Sequence, residues 1–180
     1  RRGLAPAIEG QRLHKLSIYQ AQLRWPILPE LAEILSGQLL IKCERRGKYL
    51  LLHFESGVLL VHLGMSGSMR LCHAEELLRK HDHVIWDFGH ITVRLNDPRR
   101  FGAVVWHPHG DGPVLAHPLL KQLGVEPLSD DFTIAHLYQG LKRKKKAIKT
   151  ALLDGDIVVG VGNIYASESL FLAKINPKVS

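Results

Sequence analysis

A chain of 180 residues that is 46% hydrophobic, with a formal net charge of +7 and two cysteines, has enough apolar content for one large core or two small ones and is not a disordered polyelectrolyte. Its apolar runs, at residues 58–63 and 157–161, fall far short of the roughly 18 to 20 residues that cross a bilayer, and Arg1-Arg2-Gly3 does not open a signal peptide, so a soluble, intracellular protein is expected. Cys43 and Cys72 belong to no Cys-x-x-Cys or Cys/His cluster at zinc spacing, so two buried thiols are expected and no metal site, while the excess of Lys and Arg favours a polyanionic partner.

In chain order, Pro29 opens a short helix over residues 29–35 that Gly37 ends. From residue 39 to residue 106 the pattern is that of strands. The segments are 39–44, 49–54 and 58–63, with Glu55-Ser56-Gly57 as a hairpin turn, then 83–87, a turn at Phe88-Gly89-His90, 91–95, and finally 103–106. Strands so close together, without intervening helices, predict an antiparallel sandwich or barrel. Residues 108–118, rich in Pro, Gly and His, read as a loop leading towards a domain boundary. Helical patterns follow at 133–142 and 145–154, the second with Ile148, Ala151 and Leu152 on one face. A last helix is expected after Gly160-Val161-Gly162-Asn163, with Asn163 as its N-cap and Ala166, Leu170 and Ala173 on one face.

Several segments carry chemistry. The glycines before Asn163 could present backbone N–H groups to a phosphate, although a plain helix-entry turn fits equally well, and neither a dinucleotide fingerprint nor a P-loop is present. The run Lys142-Arg143-Lys144-Lys145-Lys146 is either a solvated face or a grip on a nucleic-acid backbone, and Lys149 stands beyond it on the same predicted helix. Asn96-Asp97-Pro98-Arg99-Arg100-Phe101-Gly102 has the composition of a turn, yet a Phe beside two arginines at its tip suits a wedge entering stacked bases. Met65, between the glycines of His62-Leu63-Gly64-Met65-Ser66-Gly67-Ser68, is expected at a second loop tip. Arg45-Arg46-Gly47-Lys48-Tyr49 places three cations at a strand entry, as a surface turn or a phosphate contact. In Lys80-His81-Asp82-His83 the two histidines are expected on one side of a strand, solvated or contacting phosphate rather than holding a metal.

Taken in order, these segments, with Arg1-Arg2-Gly3, Leu23-Arg24-Trp25-Pro26 and Val159-Gly160-Val161-Gly162-Asn163-Ile164-Tyr165-Ala166-Ser167-Glu168, resemble the signatures of the formamidopyrimidine-DNA glycosylase family along nearly the whole chain. The resemblance implies an α+β fold in two domains: an N-terminal antiparallel β-sandwich, residues 1–122, followed by a helix-two-turn-helix DNA-binding domain, residues 123–180. DNA would lie in the cleft between them. The implied reaction is excision of oxidised purines such as 8-oxoguanine and formamidopyrimidine, then β,δ-elimination at the abasic site. The family's nucleophile is the amine of an N-terminal proline, assisted by the adjacent glutamate, and the iminium formed at C1′ serves as the electron sink for elimination. The target nucleotide is flipped out because its glycosidic bond is inaccessible in the stack.

Position by position, the resemblance places Lys48 in the catalytic pocket, at the phosphate and in proton transfer. It makes Met65, Arg99 and Phe101 the residues that fill the void left by the flipped base, and His81, Arg99, Lys144, Lys149, Asn163 and Tyr165 the DNA contacts. No Pro-Glu-Leu-Pro leader precedes Arg1 and no four-cysteine zinc finger follows Ser180, so the chain is expected to be the central portion of such an enzyme. On that reading it holds no cofactor, the one structural Zn²⁺ belonging to the finger of the full-length protein. The expected partner is double-stranded DNA with a damaged base or abasic site, bound by a monomer in the bacterial cytoplasm, with no membrane. Two alternatives are an endonuclease VIII-like glycosylase for oxidised pyrimidines and a non-catalytic helix-two-turn-helix DNA-binding fragment. The chain as written is expected not to be trapped on abasic DNA by borohydride; efficient trapping would refute the proline assignment.

Overall fold

Short apolar runs separated by tight turns can satisfy their backbone only by pairing with one another, and the first part of the chain does so. The computed structural model describes residues 1–179 and divides the chain into two units, Arg1–Val114 and a second from Leu115 onward. In the first unit the elements are α1 (Ala5–Ile8), β1 (Lys15–Ile18), α2 (Leu31–Leu35), β2 (Leu40–Arg46), β3 (Tyr49–Phe54), β4 (Gly57–His62), β5 (Ser68–Cys72), β6 (Asp82–Asp87), β7 (Thr92–Asn96) and β8 (Ala103–Pro108). The strands form two four-stranded sheets, in the orders β1-β6-β7-β5 and β2-β3-β4-β8, with every neighbouring pair antiparallel.

The core lies between the sheets. Leu52, Phe54, Leu59 and Val61 from one sheet join Val84, Trp86, Val93 and Leu95 from the other in a single buried cluster, to which α2 adds Leu31 and Leu35. β7 is buried on both faces because residues 73–81 lie over its outer side. Arg94 makes that possible: it is 2% exposed, and its guanidinium donates to the carbonyls of Leu77 (3.0 Å), Glu76 (2.7 Å) and His73 (3.2 Å) and to Thr92 Oγ1 (3.2 Å). A buried cation with this many acceptors is solvated by the protein itself.

The second unit contains α3 (Ile134–Lys142), α4 (Ile148–Leu153) and α5 (Asn163–Leu172). Thr133 caps α3, its Oγ1 accepting the His136 N–H at 3.1 Å. Leu152, Val158, Ala166 and Leu170 form a small core against Leu137, Leu141 and Ile148. Ile157, Val158 and Val159 are buried in an extended segment that bridges in parallel to Val125 through Val158, while the His136 ring lies 2.9 Å from the Ile157 carbonyl. Gly140 sits inside α3 because a Cβ there would lie 2.7 Å from the Ile157 side chain.

The sandwich and the helical unit match the expected α+β class, and the differences are local. The helix expected from Pro29 begins at Leu31, after Glu30 as its N-cap. Gly162, not Asn163, is the N-cap of α5; Asn163 is the first helical residue. Ala173 is the exposed C-cap, which leaves Ala166 and Leu170 as the buried stripe. α1, β1 and β5 have only four or five residues, too few to display a period, and were not expected from the sequence. Among the described residues no helix is long and apolar enough to cross a membrane.

Candidate nucleic-acid interface

Two loops of the first unit share one end of a sheet because β4 pairs with β8, with His62 opposite Ala103. Residues 63–67 leave β4 and close on themselves through the Gly67 N–H, which donates to the Leu63 carbonyl at 2.9 Å. Residues 97–102 enter β8. There the Arg100 N–H donates to the Asp97 carbonyl (3.1 Å), and the Gly102 N–H donates to Oδ2 of the fully buried Asp97 (2.7 Å).

The loops are in backbone contact. Gly64 has φ +62°, and a Cβ on it would stand 2.6 Å from the Phe101 carbonyl carbon and 2.7 Å from its oxygen, so only glycine lets the two chains approach. Arg99 Nε donates to Ser66 Oγ at 3.2 Å, and the Arg99 guanidinium lies 5.2 Å over the Phe101 ring. Met65, 76% exposed, and Phe101, 48% exposed, thus stand on two loops joined at Gly64.

Lys48 lies in the turn between β2 and β3, exposed, after Gly47 at φ +56°. It helps to line a cavity of about 480 Å³ whose walls include Arg1, Arg45, Tyr49, Leu63 and Met69. Leu63 therefore connects the cavity to the first loop. Tyr49 pairs with His62 across β3 and β4, their rings 4.9 Å apart. Burial lowers the His62 pKa, and the charges of Arg24 and Lys48 lower it further. The neutral ring accepts the Gly64 N–H on Nδ1 at 2.9 Å, so His62 holds the base of the Met65 loop. Burial raises the pKa of Tyr49, against the opposing charge of Arg24. Arg24 itself stacks 4.8 Å over the Trp25 ring, and its N–H donates to the Gly102 carbonyl at 3.0 Å.

His81 precedes β6 rather than lying on it, with φ +72°, so it does not share a strand face with His83 as the sequence suggested. The two rings nevertheless meet edge to face at 5.8 Å, and His83 Nε2 is 2.9 Å from the Asp97 carbonyl.

In the second unit the basic run is partly neutralised within the fold. Lys144 is ion-paired with Asp156 and 4.0 Å from Asp154, which is itself 2.5 Å from Lys146. The hydrogen bond from Lys144 holds the Asp156 carboxyl below its ordinary pKa. Lys149 lies in the first turn of α4, half-buried, with its backbone N–H 3.3 Å from the Pro177 carbonyl. Asn163 and Tyr165 are both exposed in the first turn of α5. Sequence reasoning missed His62, Arg24, Asp97 and the two aspartates that hold the lysines. Arg24 and the two aspartates meet partners in other segments, and His62 and Asp97, though they bond within their own loops, match the composition of an ordinary turn, so no local pattern announces them.

Among the described residues no group of three or more His, Cys, Asp or Glu could hold a metal ion. Cys43 and Cys72 are buried free thiols; burial, with Glu9, pushes Cys43 up to about 12, the opposite of a thiolate ligand. These residues do not fit a structural zinc.

The family model of the formamidopyrimidine-DNA glycosylase N-terminal domain matches residues 1–104, and that of the formamidopyrimidine-DNA glycosylase H2TH domain matches residues 123–180. The chain belongs to the formamidopyrimidine-DNA glycosylase family. It is 56% identical to the Bordetella petrii formamidopyrimidine-DNA glycosylase over 178 residues and 52% identical to that of Janthinobacterium sp., in each case covering 99% of this chain and 65% of the relative. The chain thus spans about two thirds of the length of these curated relatives. Among solved structures, the Lactococcus lactis enzyme bound non-covalently to DNA containing an AP site superposes with a TM-score of 0.89 at 33% identity, over 99% of this chain and 68% of that one. An inhibited form of the same enzyme with DNA containing N7-benzyl-Fapy-dG gives 0.92 at 32% identity, over 100% and 67%.

Gly64→Ala is expected to destabilise the first unit by about 2–3 kcal/mol, combining a left-handed backbone with overlap on Phe101. Urea unfolding measures this, and a loss under about 0.5 kcal/mol would show that the loops can separate freely. His62, with its lowered pKa, contributes stability above its ordinary value near 6.5, and this is lost as pH falls through the lower folded value. In an NMR titration the His62 ring should titrate below 6.5, and the Gly64 amide signal should move with it.

Proposed function

We propose that the chain provides the lesion-recognition face of a DNA glycosylase/AP lyase that acts on oxidised purines in double-stranded DNA. One observation carries this reading: the Gly64–Phe101 junction presents Met65, Arg99 and Phe101 together, beside a cavity that contains Lys48. An unbranched apolar side chain and an aromatic ring suit the space left in a base stack when a nucleotide is extruded, while Arg99 can hydrogen-bond the orphaned base. Lys48, which lines the cavity, would meet a phosphate and move a proton during elimination. The Lactococcus lactis relative has been captured with abasic-site DNA and with DNA containing Fapy-dG, which is the substrate class proposed for this chain.

His81 and, in the second unit, Lys144, Lys149, Asn163 and Tyr165 serve as DNA contacts in this reading. The N–H groups at the start of α5, Lys149 of α4 and Lys144 before it suit phosphate oxygens, which position a duplex without reading its sequence. Lys144 is shared with Asp156, so a phosphate there exchanges for a carboxylate. The functional division is placed at residues 122/123, supported by the second family match beginning at residue 123. Covalent chemistry requires the proline amine that the family supplies; the residues described above bind, extrude and orient.

The test is fluorescence anisotropy with a duplex containing one abasic site and the same duplex intact. The abasic duplex should bind more tightly, and Met65→Ala combined with Phe101→Ala should remove about tenfold of that preference. Lys149→Ala should weaken both duplexes alike and reduce the salt slope by about one unit. Equal affinity for the two duplexes, unchanged by the double substitution, would overturn the wedge assignment.

A further inference from the structure

The His81 backbone is fixed from both sides by groups that the proposed chemistry does not use. Asp82, whose side chain is fully buried, receives both ends of the Arg70 guanidinium, at 2.7 Å and 2.5 Å. Its remaining acceptor capacity is spent nearby: Oδ2 takes the Arg79 N–H at 2.9 Å and Oδ1 takes Asn96 Nδ2 at 2.9 Å. Asn96 Nδ2 also donates to the Lys80 carbonyl at 2.9 Å, and the Asp97 N–H donates to the His81 carbonyl at 3.1 Å. Arg79 is therefore tied by both its N–H and its carbonyl, which accepts the Asp82 N–H at 3.0 Å, and residues 80 and 81 each by their carbonyl. His81 itself is held at φ +72°, a conformation that costs a non-glycine residue about 1 kcal/mol or more and persists only where the surroundings over-determine it.

A buried ion pair is weak evidence of added stability, because desolvating both charges offsets most of their attraction, and an apolar pair of the same shape often does as well. An apolar pair could not hold the Arg79 N–H and the Asn96 amide, however. Burial opposes the charge on Asp82, but hydrogen bonds from Arg70, Asn96 and Arg79 outweigh it and keep the carboxyl well below its ordinary range. The network is also continuous with the second loop. Asp97, which donates to His81, accepts the Gly102 N–H on its own carboxylate.

We propose that Asp82, through Asn96 and the Arg79 N–H, is a positioning residue that holds His81 in its left-handed conformation and so aims the His81 ring at DNA. The proposal rests on the reading of His81 as a DNA contact. In this role Asp82 does not contact DNA itself; it acts through the peptide groups that precede His81, while the Asp97 N–H holds the His81 carbonyl.

The test compares His81→Ala, Asp82→Asn and the double variant in the 180-residue chain, using anisotropy with the abasic-site duplex under conditions where each protein is folded. His81→Ala should weaken binding about tenfold, the scale of one charge-assisted hydrogen bond. Asp82→Asn should weaken it by a similar factor, and the double variant should be no weaker than either single one. Multiplied losses, or unchanged binding by a folded Asp82→Asn protein, would overturn the proposal. If Asp82→Asn does not fold, Asn96→Ala, which keeps the Arg70 pair, should show the same non-additivity at smaller amplitude. Should His81→Ala leave binding unchanged, the DNA-contact reading falls, and NMR decides the positioning separately. In Asp82→Asn the His81 ring signals should shift and the Asp97 amide should exchange faster; unmoved signals would refute the positioning role.

Discussion

The antiparallel register of β4 against β8 is the constraint on which the candidate face depends. It puts His62 opposite Ala103, so the loop leaving one strand and the loop entering the other start from neighbouring positions. Everything local then tightens that proximity: Gly64 lets the two backbones touch, Asp97 closes the second loop on Gly102, and the Arg24 N–H secures the Gly102 carbonyl from a third segment. A one-residue slip would turn Leu59 and Val61 away from the core between the sheets, so their burial there fixes the position of the loops as well as the sheet. Exposed apolar tips on such a base are pre-organised, and ordering them on contact with a partner costs little.

The charges are arranged on two scales. In the sandwich, positive charges gather around a histidine that burial keeps neutral, and that neutral ring anchors one loop. In the helical unit, cations meet carboxylates supplied from the far end of α4 and the segment after it. Net charge alone does not distinguish these cases. An exposed Lys–Asp pair contributes little to stability and can open for a competing anion, whereas an acceptor on half-buried His62 works through geometry.

The strands from β2 to β4 were legible in the sequence because each shows a continuous apolar run bounded by a turn, and β3 falls where its pattern places it. Met65 and Phe101 were legible as exposed tips for a related reason: large apolar side chains flanked by glycine, serine or arginine have no strand or helix to join. β5 was hidden because Ser68 continues the polar composition of the preceding loop, and only pairing with β7 makes its residues a strand. Arg94 offered no signal at all, since its main-chain partners are carbonyls 17 to 21 residues earlier, which any sequence could provide. His81 was placed on a strand by its i, i+2 spacing to His83, but its backbone geometry is set by tertiary hydrogen bonds.

Arg94 has one more consequence. Its hydrogen-bond partners beneath residues 73–81 are carbonyl oxygens and a hydroxyl, none of which carries a formal charge. The cation is thus solvated without being cancelled. The guanidinium leaves a unit of positive potential under the segment that leads to His81, too deeply buried for salt to screen fully. The same side chain that anchors this segment therefore also biases its electric field towards anions.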